Sequence, residues 1–159
     1  MFNFNAHLGF QFTEVPFLQR FAAASRVGFK TVEFPSPYAY DASVLADLLQ
    51  EHQLTLVQFA APAGETKGLA AVPGKEEEFR HGLKVAVQYA KALGCANVHL
   101  MSGVSVADQA SSVFQANLDC GVKHLRDHGL VPLVEVICTE AAASEPLLQF
   151  ESDFLVAGA

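Results

Sequence analysis

Glu135 stands in Pro132-Leu133-Val134-Glu135-Val136-Ile137, a carboxylate inside an otherwise apolar run. An unpaired buried carboxylate is costly, so such a strand calls for a metal ion, a nearby cation or a raised pKa. The competing reading is a glutamate that simply leaves the strand into solvent. Glu33 repeats the pattern in Thr31-Val32-Glu33-Phe34. It is suited to orient a substrate hydroxyl or a neighbouring histidine, or else to close a structural ion pair. His99, in Val98-His99-Leu100-Met101-Ser102-Gly103, and His7, before Leu8-Gly9, also fall in strand-like segments. A lone histidine in an apolar strand is more often a packed residue than a ligand-binding one. Carboxylates and imidazoles are nevertheless the usual groups of general acid–base chemistry.

The remaining polar groups point away from chemistry. His52, His81, His124 and His128 fall on helical segments and read as surface or packing residues. Glu65 and Lys67, in the loop after the third strand, are within reach of the pocket but read first as a solvated loop, and Glu76-Glu77-Glu78 as an acidic helix start. Ser102-Gly103 lacks the flanking glycine of a nucleophile elbow, which argues against a serine hydrolase.

Five strands are expected to carry these groups, at Phe2 to Leu8, Lys30 to Phe34, Leu54 to Phe59, Asn97 to Met101 and Leu130 to Ile137. Four helical patterns alternate with them. The first has Thr13 as N-cap, Leu18, Phe21, Ala22 and Ser25 on one face, and Gly28 as its stop. The second starts at Asp41 or Ser43 and buries Val44, Leu45, Leu48, Leu49 and His52. The third opens at Glu76, buries Phe79, Leu83, Ala86, Val87 and Ala90, and ends at Gly94. The fourth buries Phe114, Leu118, Val122 and Leu125 and stops at Gly129.

Strict alternation implies a parallel sheet with right-handed crossovers. The strand centres near Phe4, Val32, Val57, Val98 and Val134 lie 28, 25, 41 and 36 residues apart. Eight such repeats make the roughly 250 residues of a (β/α)8 barrel. An open doubly-wound sheet fits the spacing equally well. The turn after the first strand, Gly9-Phe10-Gln11-Phe12, has one glycine, so a dinucleotide fingerprint is absent.

The 159 residues suit one domain, 51% of them hydrophobic, with a formal charge of -7. An acidic chain without a basic cluster offers nothing to nucleic acid or an anionic membrane. No signal peptide or membrane-length apolar run is visible. Three scattered cysteines (Cys95, Cys120 and Cys138) suit reduced thiols in a cytoplasmic protein.

Three segments carry a resemblance: FTEVPFLQRFAAASRVGFKTVEFPSPYAYD, GETKGLAAVPGKEEEFRHG and VAVQYAKALGCANVHLMSG. Together they resemble the N-terminal part of the hydroxypyruvate isomerase family. FTEVPF and LVEV are similar to its 2-oxo-tetronate isomerase branch. The match runs from Phe4 to about Glu135 and is faint beyond Ile137. It implies a truncated TIM barrel of α/β class: one domain over 1–159, five strands within 1–137, and a divergent tail over 138–159.

The implied chemistry is proton transfer between adjacent carbons of a sugar acid through an enediol. It uses a divalent metal (Mg or Mn) and a pair of glutamates on strands five and eight. The strand-five glutamate matches Glu135, which the resemblance makes both catalytic residue and metal ligand. His7, Glu33 and His99 take substrate-binding places at the C-terminal rim, where all four are expected to converge. The family's second glutamate and its other metal ligands have no counterpart in these 159 residues. A weak or inactive isomerase, holding metal poorly or not at all, is therefore expected, along with self-association through open sheet edges. The alternative is a pseudoenzyme or truncated gene product that binds a sugar acid or a protein partner. Departures from the family pattern stand at His7 and Ala60, where asparagine is common, and at Val136, where proline is common. The loop before Gly68 is also shorter.

Overall fold

The structure is a computed structural model and describes residues 4–105 and 107–135. The tail over 138–159, together with Val136 and Cys138, lies outside the described residues. Six short strands appear: β1 (Asn5–His7), β2 (Thr31–Glu33), β3 (Thr55–Leu56), β4 (Phe59–Ala60), β5 (Asn97–His99) and β6 (Val131–Leu133). Between them run α1 (Arg20–Arg26), α2 (Ala42–Glu51), α3 (Glu76–Leu93) and α4 (Ala110–Asp127). All strand pairs are parallel, in the orders β1-β2-β3 and β4-β5-β6. Strand order follows chain order, as in a barrel wall, and no closed barrel forms among the described residues.

The expected third strand is broken. Leu56 pairs with Val32 of β2, and Phe59 with Val98 of β5. Leu56 and Phe59 are both buried and three residues apart, so the alternation of two slips by one position, as at a bulge. Two hydrogen bonds bridge the break. Ala60 N–H donates to the Pro35 carbonyl at 2.9 Å, and the Asn97 amide donates to the Val57 carbonyl at 2.7 Å.

Ala6, Val32 and Val98 occupy the middle of their strands and are fully buried, with half-buried residues on either side. One sheet face is therefore sealed by helices, and Asn5, His7, Thr31, Glu33, Asn97 and His99 stand on the other. Phe21, Leu45, Leu83 and Leu125, one from each helix, complete the core.

α3 follows expectation, and α4 in part: Phe114 and Leu125 are buried, but Val122 is half-buried and Asn117 and Gly121 take buried places on that face. Gly94 ends α3 at φ 63°, and Gly129 follows α4 at φ 74°. Leu118 packs against the core only in part. α1 departs from it. Thr13 is not its cap: a 3-10 turn over Phe17–Gln19 leads into the helix at Arg20. The buried face is Phe21, Ala23 and Ala24, not Ala22 and Ser25. Arg20, the first residue of α1, donates from its guanidinium to the Leu8 carbonyl at 2.7 Å and the Val15 carbonyl at 3.1 Å, fastening the incoming loop. In α2, Asp41 is the N-cap and Leu45 and Leu49 are buried, while Leu48 and His52 are half-buried and Val44 is exposed. No described helix is long and apolar enough to cross a membrane.

Two histidines link the fold to pH. Burial lowers the pKa of His99, against an opposing pull from Glu135. Burial, then His128 and Lys84, lower that of His124, against Asp127. The His124 Nε2 is covered and has no hydrogen-bond partner among the described residues. A histidine with a depressed folded pKa binds its proton more tightly when unfolded. Its contribution is complete above about pH 6.5 and fades as pH falls toward the folded values. The urea midpoint should therefore rise between pH 5.5 and pH 7, and His124→Gln should flatten part of that slope. An unchanged slope in the variant would remove His124 from this account.

Candidate functional site

The strands end on one rim, and the structure sets the four residues there as two pairs. His7 lies beside Glu33 in the β1–β2 register. His99 lies beside Leu133 in the β5–β6 register. Glu135 follows two residues beyond, past the end of β6. It is close enough for its charge to act on the imidazole.

Glu135 is exposed and lies past the last residue of β6, not inside the strand. The cost of burying a carboxylate therefore does not apply to it. Its candidacy rests on its place beside His99.

Around His7 the loop is closely built. The Gly9 N–H donates to His7 Nδ1 at 3.1 Å. The His7 N–H donates to the Gln11 side chain at 2.9 Å. The exposed Phe10 ring stacks on the imidazole at 4.2 Å between centroids. A Cβ on Gly9 would stand 2.7 Å from His7 Cε1, so the ring holds this position because residue 9 is glycine. Across the register, Glu33 Oε2 accepts the Gln58 side-chain amide at 2.7 Å. Sequence reasoning passed over Gln58; its signal was an amide in the apolar run Leu54 to Phe59, at the point where the strand breaks.

The loop after β4 is strapped to the loop after β5. Gly68 bridges Ser102. The Ala70 and Ala71 N–H groups donate to the Met101 and Ser102 carbonyls at 3.2 and 2.7 Å. Val104 N–H donates to the Thr66 carbonyl at 2.9 Å. From α4, the buried Asn117 amide donates to the Ala70 carbonyl at 2.9 Å. Lys67 sits in this loop in the left-handed region, at φ 58°. Such strain in a residue other than glycine persists only where its surroundings enforce it.

Chemically, the rim offers carboxylates as proton acceptors and imidazoles as hydrogen-bonding groups. Among the described residues, no group of three or more His, Cys, Asp or Glu side chains is placed to hold a metal ion. The described residues therefore do not by themselves fit a divalent ion of six or more oxygen ligands.

Comparison with known proteins gives the lineage. The family model described as a xylose isomerase-like TIM barrel matches residues 21–148. The 2-oxo-tetronate isomerase of Haemophilus influenzae is 48% identical over 105 residues, covering 64% of this chain and 41% of that protein. The hydroxypyruvate isomerase of Escherichia coli is 38% identical over 130 residues, covering 79% and 49%. Among solved structures, a protein from Brucella melitensis described as AP endonuclease, family 2, superposes with TM-score 0.86 at 39% identity, covering 92% of this chain and 60% of that one. The chain thus spans about half the length of the curated relatives it matches. With strand order, rim and lineage in agreement, the chain belongs to the xylose isomerase-like TIM barrel family.

Proposed function

We propose that this chain serves an isomerase acting on a small sugar acid of the hydroxypyruvate or 2-oxo-tetronate kind. Glu135 is its proton-transferring carboxylate. The observation that carries the reading is the placement of Glu135 beside His99 at the C-terminal rim, in a chain whose relatives carry those names.

In this reading, Glu135 removes a proton from the hydroxylated carbon next to the substrate carbonyl and returns it to the carbonyl carbon, while the hydroxyl proton passes to the former carbonyl oxygen. A half-buried His99, kept neutral by its surroundings, contributes a hydrogen bond to the oxygen that gains charge. His7 and Glu33 hold the hydroxylated end of the substrate. A divalent ion, Mg or Mn, would supply charge stabilisation when bound, with Glu135 as one oxygen ligand. The further donors would have to come from outside the described residues. The proton transfer is accordingly derived from Glu135 alone. Free thiols at Cys95 and Cys120 support a cytoplasmic protein.

Hydroxypyruvate incubated in deuterium oxide with the 159-residue chain tests the reading. Proton abstraction should wash deuterium into the carbon beside the carbonyl even where net isomerisation is slow. Complete absence of exchange with hydroxypyruvate and with a 2-oxo-tetronate would favour the second reading, a non-catalytic binder of a sugar acid or a partner. What favours that alternative is the exposure of Glu135 beyond the end of β6.

Self-association belongs to the same proposal. The backbones of β1 and β6 each pair on one side only among the described residues, and Val131 and Val134 are about half exposed, at 49% and 51%. Such edges template pairing with another chain. Sedimentation should give a mass above that of one 17.1 kDa chain at micromolar concentration. A single monomeric boundary would sink this part.

A further inference from the structure

The β1–β2 end of the rim carries more detail than a general binding role requires. His7 Nδ1 already accepts the Gly9 N–H at 3.1 Å. A neutral imidazole so engaged carries its proton on Nε2, so its outer edge is a hydrogen-bond donor. Beside it in the register, Glu33 has Oε2 taken by the Gln58 amide at 2.7 Å. Oε1 then remains to accept a hydrogen bond. A donor and an acceptor thus come from register partners on adjacent strands, whose backbones run about 5 Å apart. The exposed Phe10 ring, stacked on His7 at 4.2 Å, adds an apolar flank.

We propose that His7 and Glu33 form a donor–acceptor pair that reads neighbouring hydroxyl groups at the end of a sugar-acid ligand remote from Glu135, with Gly9 and Gln58 as positioning residues. The inference rests on the sugar-acid reading above and adds to it the part of the ligand that is recognised. Hydroxyl groups donate and accept at once, so a fixed donor beside a fixed acceptor selects a polyol end over a bare methylene or nothing. The topology separates the two: β1 and β2 belong to the sheet β1-β2-β3, whereas β6, which leads to Glu135, is the outer strand of β4-β5-β6. Gly9 acts by leaving room for the ring, and a Cβ there would displace it. Gln58 acts by orienting the carboxylate, and the strand break brings it to that face.

Calorimetric titration with two stable acids tests this without turnover. Erythronate carries a hydroxylated tail, and glycolate carries none. His7→Leu should weaken erythronate binding about tenfold, the effect of one lost hydrogen bond in a partly buried site. Glycolate binding should stay within about twofold, below half a decade of affinity. His7→Gln, whose amide N–H reaches a similar place, should recover most of the loss. Gly9→Ala should mimic His7→Leu, and it keeps the test alive if the leucine variant does not fold. Equal weakening of both acids, no weakening of either, or a glutamine variant as damaged as the leucine one would overturn the proposal. A wild-type chain that binds neither acid removes the sugar-acid reading and this inference with it.

Discussion

Glu135→Gln should lower deuterium exchange into hydroxypyruvate by about 10²–10⁴-fold, the usual contribution of a positioned acid–base group. An amide keeps the size and hydrogen bonding of the carboxylate but cannot take up a proton at neutral pH. Circular dichroism should be unchanged, because Glu135 is exposed and lies beyond the last residue of β6. The wild-type rate is itself expected to be low. One carboxylate can shuttle a proton, but the enediolate oxygens also need stabilising charge, worth several kcal/mol when a metal supplies it. The described residues bring together no group of metal ligands that would do so. His99→Gln should cost less than Glu135→Gln, since the glutamine amide still donates a hydrogen bond. Exchange at the wild-type rate in Glu135→Gln would remove Glu135 from the chemistry. Rapid net isomerisation abolished by the same change would show that self-association or residues beyond Glu135 complete a site.

Gly103→Ala should destabilise the chain by about 3–4 kcal/mol, against about 1–2 kcal/mol for Gly94→Ala. Both glycines have positive φ, 83° and 63°, so both substitutions carry the cost of a left-handed alanine. Their surroundings differ. A Cβ at Gly94 meets nothing within 4 Å, whereas at Gly103 it would stand 2.1 Å from the Gly68 carbonyl oxygen. That contact sets a Cβ, fixed by its own backbone, against a backbone carbonyl, so no side-chain rotation relieves it. The loop after β4 must part from the loop after β5, giving up the bonds of Ala70, Ala71 and Val104 across the strap. Each is worth about 1 kcal/mol. Urea titration of the three proteins checks the difference, and equal losses in the two variants would refute the strap as a rigid unit. If the strap also shapes the rim, Gly103→Ala should weaken erythronate binding while Gly94→Ala leaves it alone.

Alternating apolar patterns in the amino-acid order were enough to establish βα repetition, because burial of one helix face and one strand face is a local requirement. The glycine stops at Gly94 and Gly129 were legible for the same reason: a helix end needs only its own last turn. The rim positions of His7, Glu33 and His99 followed from their places at strand ends. Tertiary structure alone decided the rest. The apolar run from Leu54 to Phe59 reads as one strand, but β2 and β5 each demand their own phase from it, and the chain breaks to serve both. Gln58 reaches Glu33 only because of that break. Thr13 reads as a helix cap, but Arg20 holds the loop before α1 through carbonyls five and twelve residues away. Glu135 reads either as a buried carboxylate or as one that leaves the strand into solvent, and its place past the end of the ladder, exposed, gives the second. Gly68 and Gly103 are 35 positions apart in the sequence, and nothing local to either marks the other as its neighbour. Periodicity encodes which face of an element is apolar. Which partner that face meets, and in what register, is set by contacts between residues far apart in the chain, and the chemistry of the rim depends on those contacts.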